Sequence, residues 1–376
     1  MSGKPVVKTG PTPSGVMRSP RTVAVEITAG CNLRCLYCYY FHNPAVDYRD
    51  LPTDSWLRFF DELGSLGVMN VILAGGEPFT RKDLRDLLEG IVRNRMRFSL
   101  LSNGTLIDDE TADFIACTSR CEYVQVSLDG SCADTHDSCR GKGSFEGALR
   151  GIRILQRHGA KVAVRVTIHR HNVEDLENIA RLLLEELGLP GFGTNSAGYL
   201  GRCALNADSI LLTTRERQTA MATLMRLTKK YPGRIRADAG PLAEGLMWRR
   251  MEHARVQRAP AFHNGGHLTG CGCTRSEISI RADGTIVPCS MLAHIELGRI
   301  NHESLAEVWQ NNADLNGLRN RHSIPLTEFE YCSDCPYIPY CTGNCPGLAY
   351  ALTGRTDQPS PDACLRRFCE AGGTVL

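Results

Sequence analysis

From Arg21 to about Gly201 the chain alternates short β-rich runs with longer stretches of helical periodicity, and this rhythm is its tightest constraint. The β-rich runs are Thr22–Thr28, Asn70–Ala74, Phe98–Ser102, Tyr123–Leu128 and Val162–Ile168. Helical patterns follow at Ser55–Leu66, Arg81–Asn94, Asp108–Ala116, Phe145–Arg157 and Val173–Leu187. Strands that alternate with helices of this size pair in parallel, in a barrel or an open sheet. The expected class is therefore α/β, with the chemistry at the carboxyl ends of the strands. Each strand run ends in polar or Gly-rich residues, and the unusual motifs fall there. Thr80 and Asp83 are expected to form a capping box on the second helix.

Beyond Gly201 the rhythm stops. Residues 201–270 read as a helical bridging region, with patterns over Thr213–Lys230 and Pro241–Val256. Arg249, Arg250, Arg255 and Arg258 on the second pattern read as a solvated basic face. From Cys271 to the end at 376 the texture turns to Gly, Pro and nine of the seventeen cysteines, a separate metal-rich domain. Residues 1–20 are punctuated by Gly and Pro, lack the apolar core of a signal peptide, and read as a disordered tail. No stretch approaches the roughly 18 apolar residues of a membrane span. A formal net charge of +2 gives no electrostatic reason to bind nucleic acid or an anionic membrane. The expected location is cytoplasmic, a reducing compartment where clustered thiols bind metal or do redox chemistry.

The loop after the first strand run reads Ala29-Gly30-Cys31-Asn32-Leu33-Arg34-Cys35-Leu36-Tyr37-Cys38-Tyr39-Tyr40. Its C-x3-C-x2-C spacing suits a [4Fe–4S] cluster with one iron lacking a protein ligand, or a zinc site short of its fourth ligand. With an aromatic before its last cysteine, the loop resembles that of the radical S-adenosylmethionine (radical SAM) enzymes. The resemblance implies that Cys31, Cys35 and Cys38 ligate the cluster and that Tyr37 lies beside the adenine of S-adenosylmethionine (AdoMet). It also implies that the open iron chelates AdoMet and that one electron then releases a 5′-deoxyadenosyl radical.

Further matches follow in strand order. In Gly75-Gly76-Glu77-Pro78 the glycines admit a close backbone approach and the carboxylate can accept from an ammonium. The segment resembles the family's motif for the AdoMet amino group. Ser102-Asn103-Gly104 and Ser127-Leu128-Asp129-Gly130 resemble its ribose and methionine contacts. His136-Asp137-Ser138-Cys139-Arg140 resembles a segment whose arginine pairs with the AdoMet carboxylate. Singly, these motifs read as turns or a surface arginine; together they carry the resemblance from Thr22 to Leu200. The implied fold is a partial (β/α)6 TIM-like barrel over residues 21–200.

The C-terminal cysteines are Cys271, Cys273 and Cys289, then Cys332, Cys335, Cys341 and Cys345 in C-x2-C-x5-C-x3-C spacing, then Cys364 and Cys369. Zinc ribbons and a ferredoxin-like module both suit this spacing. The whole pattern, with Gly284 ahead of Cys289, resembles the SPASM domain, a small Cys-rich α+β module holding two auxiliary [4Fe–4S] clusters. Three clusters in all are then implied. The one nearer the barrel would take Cys271, Cys289 and Cys345, with Cys273 as fourth ligand; the outer one would take Cys332, Cys335, Cys341 and Cys364. Ser304 and Glu307 match a capping box between the two halves. Cys117, Cys121, Cys132, Cys139, Cys203 and Cys369 read as buried small hydrophobes.

Together these features imply a radical SAM peptide maturase: hydrogen abstraction and oxidation of a ribosomally made peptide, giving a crosslink, a thioether or a dehydrogenated residue. Anaerobic sulfatase maturases of the family carry Asp where this chain has Ser290, which argues against that activity. Residues 1–21 alone precede the first strand, so a leader is expected to be read by a separate leader-binding protein or another surface. Flavodoxin or ferredoxin is the implied external electron donor. The alternatives are a tetrapyrrole or carbohydrate substrate, a peptide epimerase, or a non-catalytic iron–sulfur scaffold that leaves the strand-end motifs without purpose. No catalytic acid or base is named: His169, His171 and Tyr199 read as structural or surface residues.

Overall fold

A computed structural model describes residues 16–43, 46–269 and 271–375, with Cys273 described by its backbone alone. One sheet holds ten strands: β1 (Thr22–Thr28), β2 (Asn70–Gly75), β3 (Arg97–Ser102), β4 (Cys121–Ser127), β5 (Val162–Ile168), β6 (Phe192–Ser196), β7 (Ile235–Ala237), β8 (Glu277–Ile280), β9 (Thr285–Val287) and β10 (Gly298–Arg299). Their order is β10-β9-β8-β1-β2-β3-β4-β5-β6-β7. Pairing is parallel from β8 through β7 and antiparallel at β8-β9-β10. The five strand-and-helix units read from the sequence, with the sixth that the resemblance implies, form the centre of this sheet.

The barrel helices are α1 (Thr53–Ser65), α2 (Leu84–Arg93), α3 (Asp109–Cys117), α4 (Ala133–Arg140), α5 (Ser144–Arg157) and α6 (Leu176–Arg181), the last running on as a π turn over Leu182–Glu186. Next come α7 (Gly201–Leu205), α8 (Ala207–Ile210), α9 (Thr214–Lys230) and α10 (Gly240–Val256), then α11 (Leu305–Asn311), α12 (Ala313–Asn320), α13 (Pro346–Thr353) and α14 (Leu365–Glu370). α1 shows why such segments fold onto the sheet. It buries Trp56, Phe59, Phe60 and Leu63, a single stripe at helical spacing, in the core that also holds Val23, Val25 and Ile27 of β1.

Strand positions follow the sequence reading to within two residues, but several other expectations are corrected. Thr80 and Asp83 make no capping box: the Thr80 hydroxyl donates to the Glu77 carbonyl at 2.7 Å, and Arg81 and Thr53 take the Asp83 carboxylate. A neighbouring guanidinium is a stronger partner than a helix N–H. Ser304 makes no side-chain cap either, and Glu307 accepts from Asn311. Among the described residues a capping box forms at Thr213 with Glu216, at α9. Helix α4 was not expected, and the bridging region contributes β7.

The C-terminal module joins the barrel through the sheet. Its β8 pairs with β1 over Thr22↔Glu277 to Val25↔Ile280, so the barrel sheet continues into it. This covers an edge of β1 that would otherwise leave backbone groups unpaired. Of the expected disordered tail, residues 1–15 lie outside the described residues, while its last residues are pinned. Trp309 Nε1 donates to the Met17 carbonyl at 2.9 Å and Ser19 Oγ to the Leu66 carbonyl at 2.9 Å. Among the described residues no helix is long and apolar enough to cross a membrane.

Candidate functional site

A cavity of about 550 Å³ opens at the carboxyl ends of the barrel strands, lined by residues from the loop after β1 round to the segment after β7. The cysteine loop is held over it from four sides. Ala29 N–H donates to Asp50 and Glu77 N–H to the Gly30 carbonyl, at 2.6 and 2.8 Å. Leu36 N–H donates to the Cys139 carbonyl of α4, and Arg202 N–H of α7 to the Cys38 carbonyl, both at 2.8 Å. Cys31, Cys35 and Cys38 all line the cavity, and their thiols lie within electrostatic reach of one another. Burial raises Cys31 and pushes Cys35 up to about 11, so these two thiols, when bare, keep their protons. Coordinated iron would remove them.

Beside the thiols, Gly75, Gly76 and Glu77 form the next wall. Gly76 lets two loops touch: a Cβ there would lie 2.1 Å from the Gly30 carbonyl oxygen. Glu77 is 1% exposed and accepts from Asn103 N–H at 2.7 Å, Ser102 Oγ at 2.8 Å and Phe79 N–H at 3.2 Å. Burial nevertheless pushes its carboxyl up to about 7. A cationic ligand group would relieve that cost. Pro78 is buried and starts the single turn behind Glu77. Ser102, Asn103 and Ser127 line the cavity as well.

Asp129 is placed differently from its neighbours. Fully buried, it accepts from Arg140 Nε at 2.5 Å, from Thr167 N–H at 2.7 Å and from the Tyr37 hydroxyl. Burial alone would raise its carboxyl, but the charge and hydrogen bond of the Arg140 guanidinium outweigh that and hold it below its ordinary value. Arg140 also lies over the Tyr37 ring at 5.3 Å, and His169 stacks on that ring at 5.2 Å. His136 Nδ1 accepts the Asp129 N–H at 3.0 Å. Burial pushes both imidazoles down to about 4, so both are neutral. Sequence reasoning missed this support layer. His136 stood inside a recognised segment and His169 read as a structural or surface residue, whereas the positions of Thr167 and Asp50 carry no local signal.

The far wall holds Gln125, Arg165 and Asp238. Arg165 Nη1 meets Asp238 Oδ2 at 2.8 Å, and its Nε and Nη2 reach Gln125 Oε1 at 3.3 and 3.2 Å. None of the three stood out in the sequence.

The C-terminal thiols gather in two sets. Cys332, Cys335, Cys341 and Cys364 line one small, mainly apolar cavity. Cys345 lies within electrostatic reach of Cys271 and Cys289. The buried Arg321 guanidinium is near both Cys345 and Cys271, and donates to the Thr269 and Gln358 carbonyls. The side chain of Cys273 lies outside the described residues; its backbone is part of the turn Gly272–Thr274. Of the other cysteines, Cys139 and Cys203 are buried as expected, but Cys117 and Cys132 are exposed. Cys117 ends α3 and Cys132 precedes α4, boundary positions that face water.

These donor sets fit the groups implied by the sequence: soft thiols for iron–sulfur clusters, and a buried carboxylate with a glycine cradle for an ammonium-bearing ligand. Family comparison agrees. Residues 25–183 match the radical SAM superfamily model, and residues 271–336 match the SPASM iron–sulfur cluster-binding domain. The chain is 30% identical over 357 residues to Fe-coproporphyrin III synthase of Methanosarcina barkeri, covering 91% of this chain and 87% of that protein. It is 27% identical over 354 residues to PqqA peptide cyclase of Ruegeria pomeroyi, covering 92% and 87%. Streptococcus suis SuiB, solved with its precursor peptide SuiA, shares the fold at 15% identity and a TM-score of 0.70, covering 93% of this chain and 77% of that one. The chain thus belongs to the radical SAM superfamily and carries a C-terminal SPASM iron–sulfur domain.

Proposed function

We propose that this chain catalyses an AdoMet-dependent radical oxidation of a ribosomally made peptide, leaving a crosslink, a thioether or a dehydrogenated residue. The observation that carries the reading is the single cavity shared by Cys31, Cys35, Cys38 and Glu77 on one wall and Gln125, Arg165 and Asp238 on the other. An iron–sulfur cluster held by the three cysteines supplies, when AdoMet is bound, the one-electron cleavage that generates a 5′-deoxyadenosyl radical. Glu77 accepts from the ammonium group and Arg140 receives the carboxylate. Tyr37, braced by His169 and Asp129, flanks the adenine, and Ser102, Asn103 and Ser127 contact ribose and methionine. Asp129 keeps Arg140 charged and aimed. Cys271, Cys273, Cys289 and Cys345 hold one auxiliary cluster, and Cys332, Cys335, Cys341 and Cys364 the other.

The peptide cyclase relative and the fold shared with a peptide-bound enzyme support the peptide substrate. A second reading, a tetrapyrrole substrate, has equal support from the coproporphyrin-named relative at 30% identity. A reduced flavodoxin or ferredoxin is the proposed donor, and a separate leader-binding protein the proposed partner. The test is anaerobic co-expression with the peptide encoded beside the gene, weighed by mass spectrometry, with coproporphyrin III assayed in parallel. Loss of two hydrogens per event supports the oxidative maturase. An unmodified peptide with altered porphyrin moves the substrate to the tetrapyrrole, and absence of 5′-deoxyadenosine under reduction overturns the radical reading.

A further inference from the structure

Two cations face the cavity, and they differ in what they are free to bind. Arg140, held through its Nε by the buried Asp129, is the cation proposed above for the AdoMet carboxylate. Arg165 has no such assignment. A guanidinium offers five N–H donors, and the contacts to Asp238 and Gln125 engage three of them. Two of those contacts are long and share one amide oxygen. The remaining donors can fork onto a carboxylate, the geometry for which arginine is best suited.

The surroundings are shaped for this side chain. In the sheet register Arg165 stands level with Ser127 of β4 and Gly193 of β6, one strand away from a residue of the expected AdoMet wall. At Gly193 a Cβ would come within 2.3 Å of Asp238 Oδ2 and 3.5 Å of Arg165 Cζ. The missing side chain is what gives the pair its room. Asp238 lies just past β7, on the segment entering α10. Its side chain is 36% exposed and that of Arg165 23%. An ion pair this accessible to water contributes little to stability, so the fold does not depend on it. The aspartate can leave without exposing an uncompensated buried charge.

We propose that Arg165 is the receptor for a carboxylate of the substrate, and that Asp238 is the internal carboxylate which the substrate displaces. Binding exchanges one carboxylate for another, so the cation stays paired throughout. A neutral substrate gains nothing from the exchange and leaves Asp238 in place, which makes the pair a filter for acidic substrates. The carboxylate could belong to an acidic side chain of a peptide or to the rim of a tetrapyrrole. The inference rests on the preceding section only in taking this cavity as the substrate site.

The full chain, anaerobically reconstituted, would be titrated with two pairs of probes. One pair is coproporphyrin III and its tetramethyl ester, followed by absorbance. The other is the peptide encoded beside the gene, labelled for anisotropy, with its Asp and Glu residues intact or replaced by Asn and Gln. The acidic member of at least one pair should bind roughly ten- to a hundredfold more tightly, as a charge-assisted bidentate contact allows. The pair showing that preference identifies the source of the carboxylate. Arg165→Gln should abolish the preference, Arg165→Lys should keep part of it, and Asp238→Asn should strengthen acid binding by removing the competitor. The signs are diagnostic, because a structural ion pair would make Arg165→Gln and Asp238→Asn weaken binding together. That shared loss, an unchanged preference in Arg165→Gln, or no acid preference in the unmodified chain would overturn the receptor. 5′-Deoxyadenosine formation is scored separately, so the radical reading and the receptor can fail independently.

Discussion

Arg140 donates through Nε to Asp129 Oδ2 at 2.5 Å, and neither side chain is more than 7% exposed. That one carboxylate joins β4, α4, β5 and, through the Tyr37 hydroxyl, the cysteine loop. Asp129→Asn leaves a buried guanidinium facing a neutral partner, which costs about 3–5 kcal/mol when a buried pair is broken. We expect a lower melting temperature and AdoMet binding weakened by more than tenfold in equilibrium dialysis. Full stability with normal AdoMet affinity would show that the pair is incidental.

Glu77 predicts a pH dependence of AdoMet affinity. In the folded chain without ligand its carboxyl holds a proton up to about pH 7, against an ordinary value of 4.5. An ammonium group prefers the anion, so binding releases that proton, and affinity should rise from pH 6 to pH 8 by up to about tenfold per unit below 7. The same shift acts on the ligand-free fold with the opposite sense. Between pH 4.5 and 7 the native state holds a proton that the unfolded chain has released, so this residue's contribution to stability declines as pH rises through that window. Glu77→Gln should flatten both profiles, measured by dialysis and by thermal melts across that range.

Gly76→Ala separates backbone geometry from side-chain chemistry. The new methyl group would sit 2.1 Å from the Gly30 carbonyl oxygen and 3.0 Å from that of Ala29, so the cysteine loop must move. The predicted result is about 1–3 kcal/mol of destabilisation and loss of the cluster absorbance near Cys31. Normal iron content in this variant would argue that the loop closes by another route.

The two C-terminal cysteine sets should be separable by iron analysis. Cys335→Ala is predicted to remove about four of roughly twelve irons from the reconstituted chain while AdoMet cleavage persists. Cys289→Ala should remove a similar number from the other set, and Cys273→Ala should change only the electron paramagnetic resonance signature of that second set. Equal loss of all iron in every variant would mean that the sets fold as one unit.

Much of this protein follows from local chemistry. Strand and helix periodicity placed β1 to β5 nearly to the residue, because alternate burial on a parallel sheet is written in neighbouring side chains. Cysteine spacing grouped Cys31, Cys35 and Cys38 for the same reason, since a short loop brings its own residues together. Capping was less legible: Thr80 and Asp83 have the right spacing, yet Arg81 and Thr53 take the carboxylate first.

What no local pattern contains is who meets whom across the sheet. Asp50 holding Ala29, Thr167 framing Asp129, and Gly193 opening room for Arg165 and Asp238 all depend on contacts between segments apart in sequence. The pairing of β8 with β1, which fuses the iron–sulfur module to the barrel, is of the same kind. The sequence by itself determined β1 to β5 and most of the helices between them, the thiol motifs and the resemblance to the family. Only the tertiary structure decided the support layer and the far wall of the cavity, because long-range contacts are selected by packing and buried electrostatics.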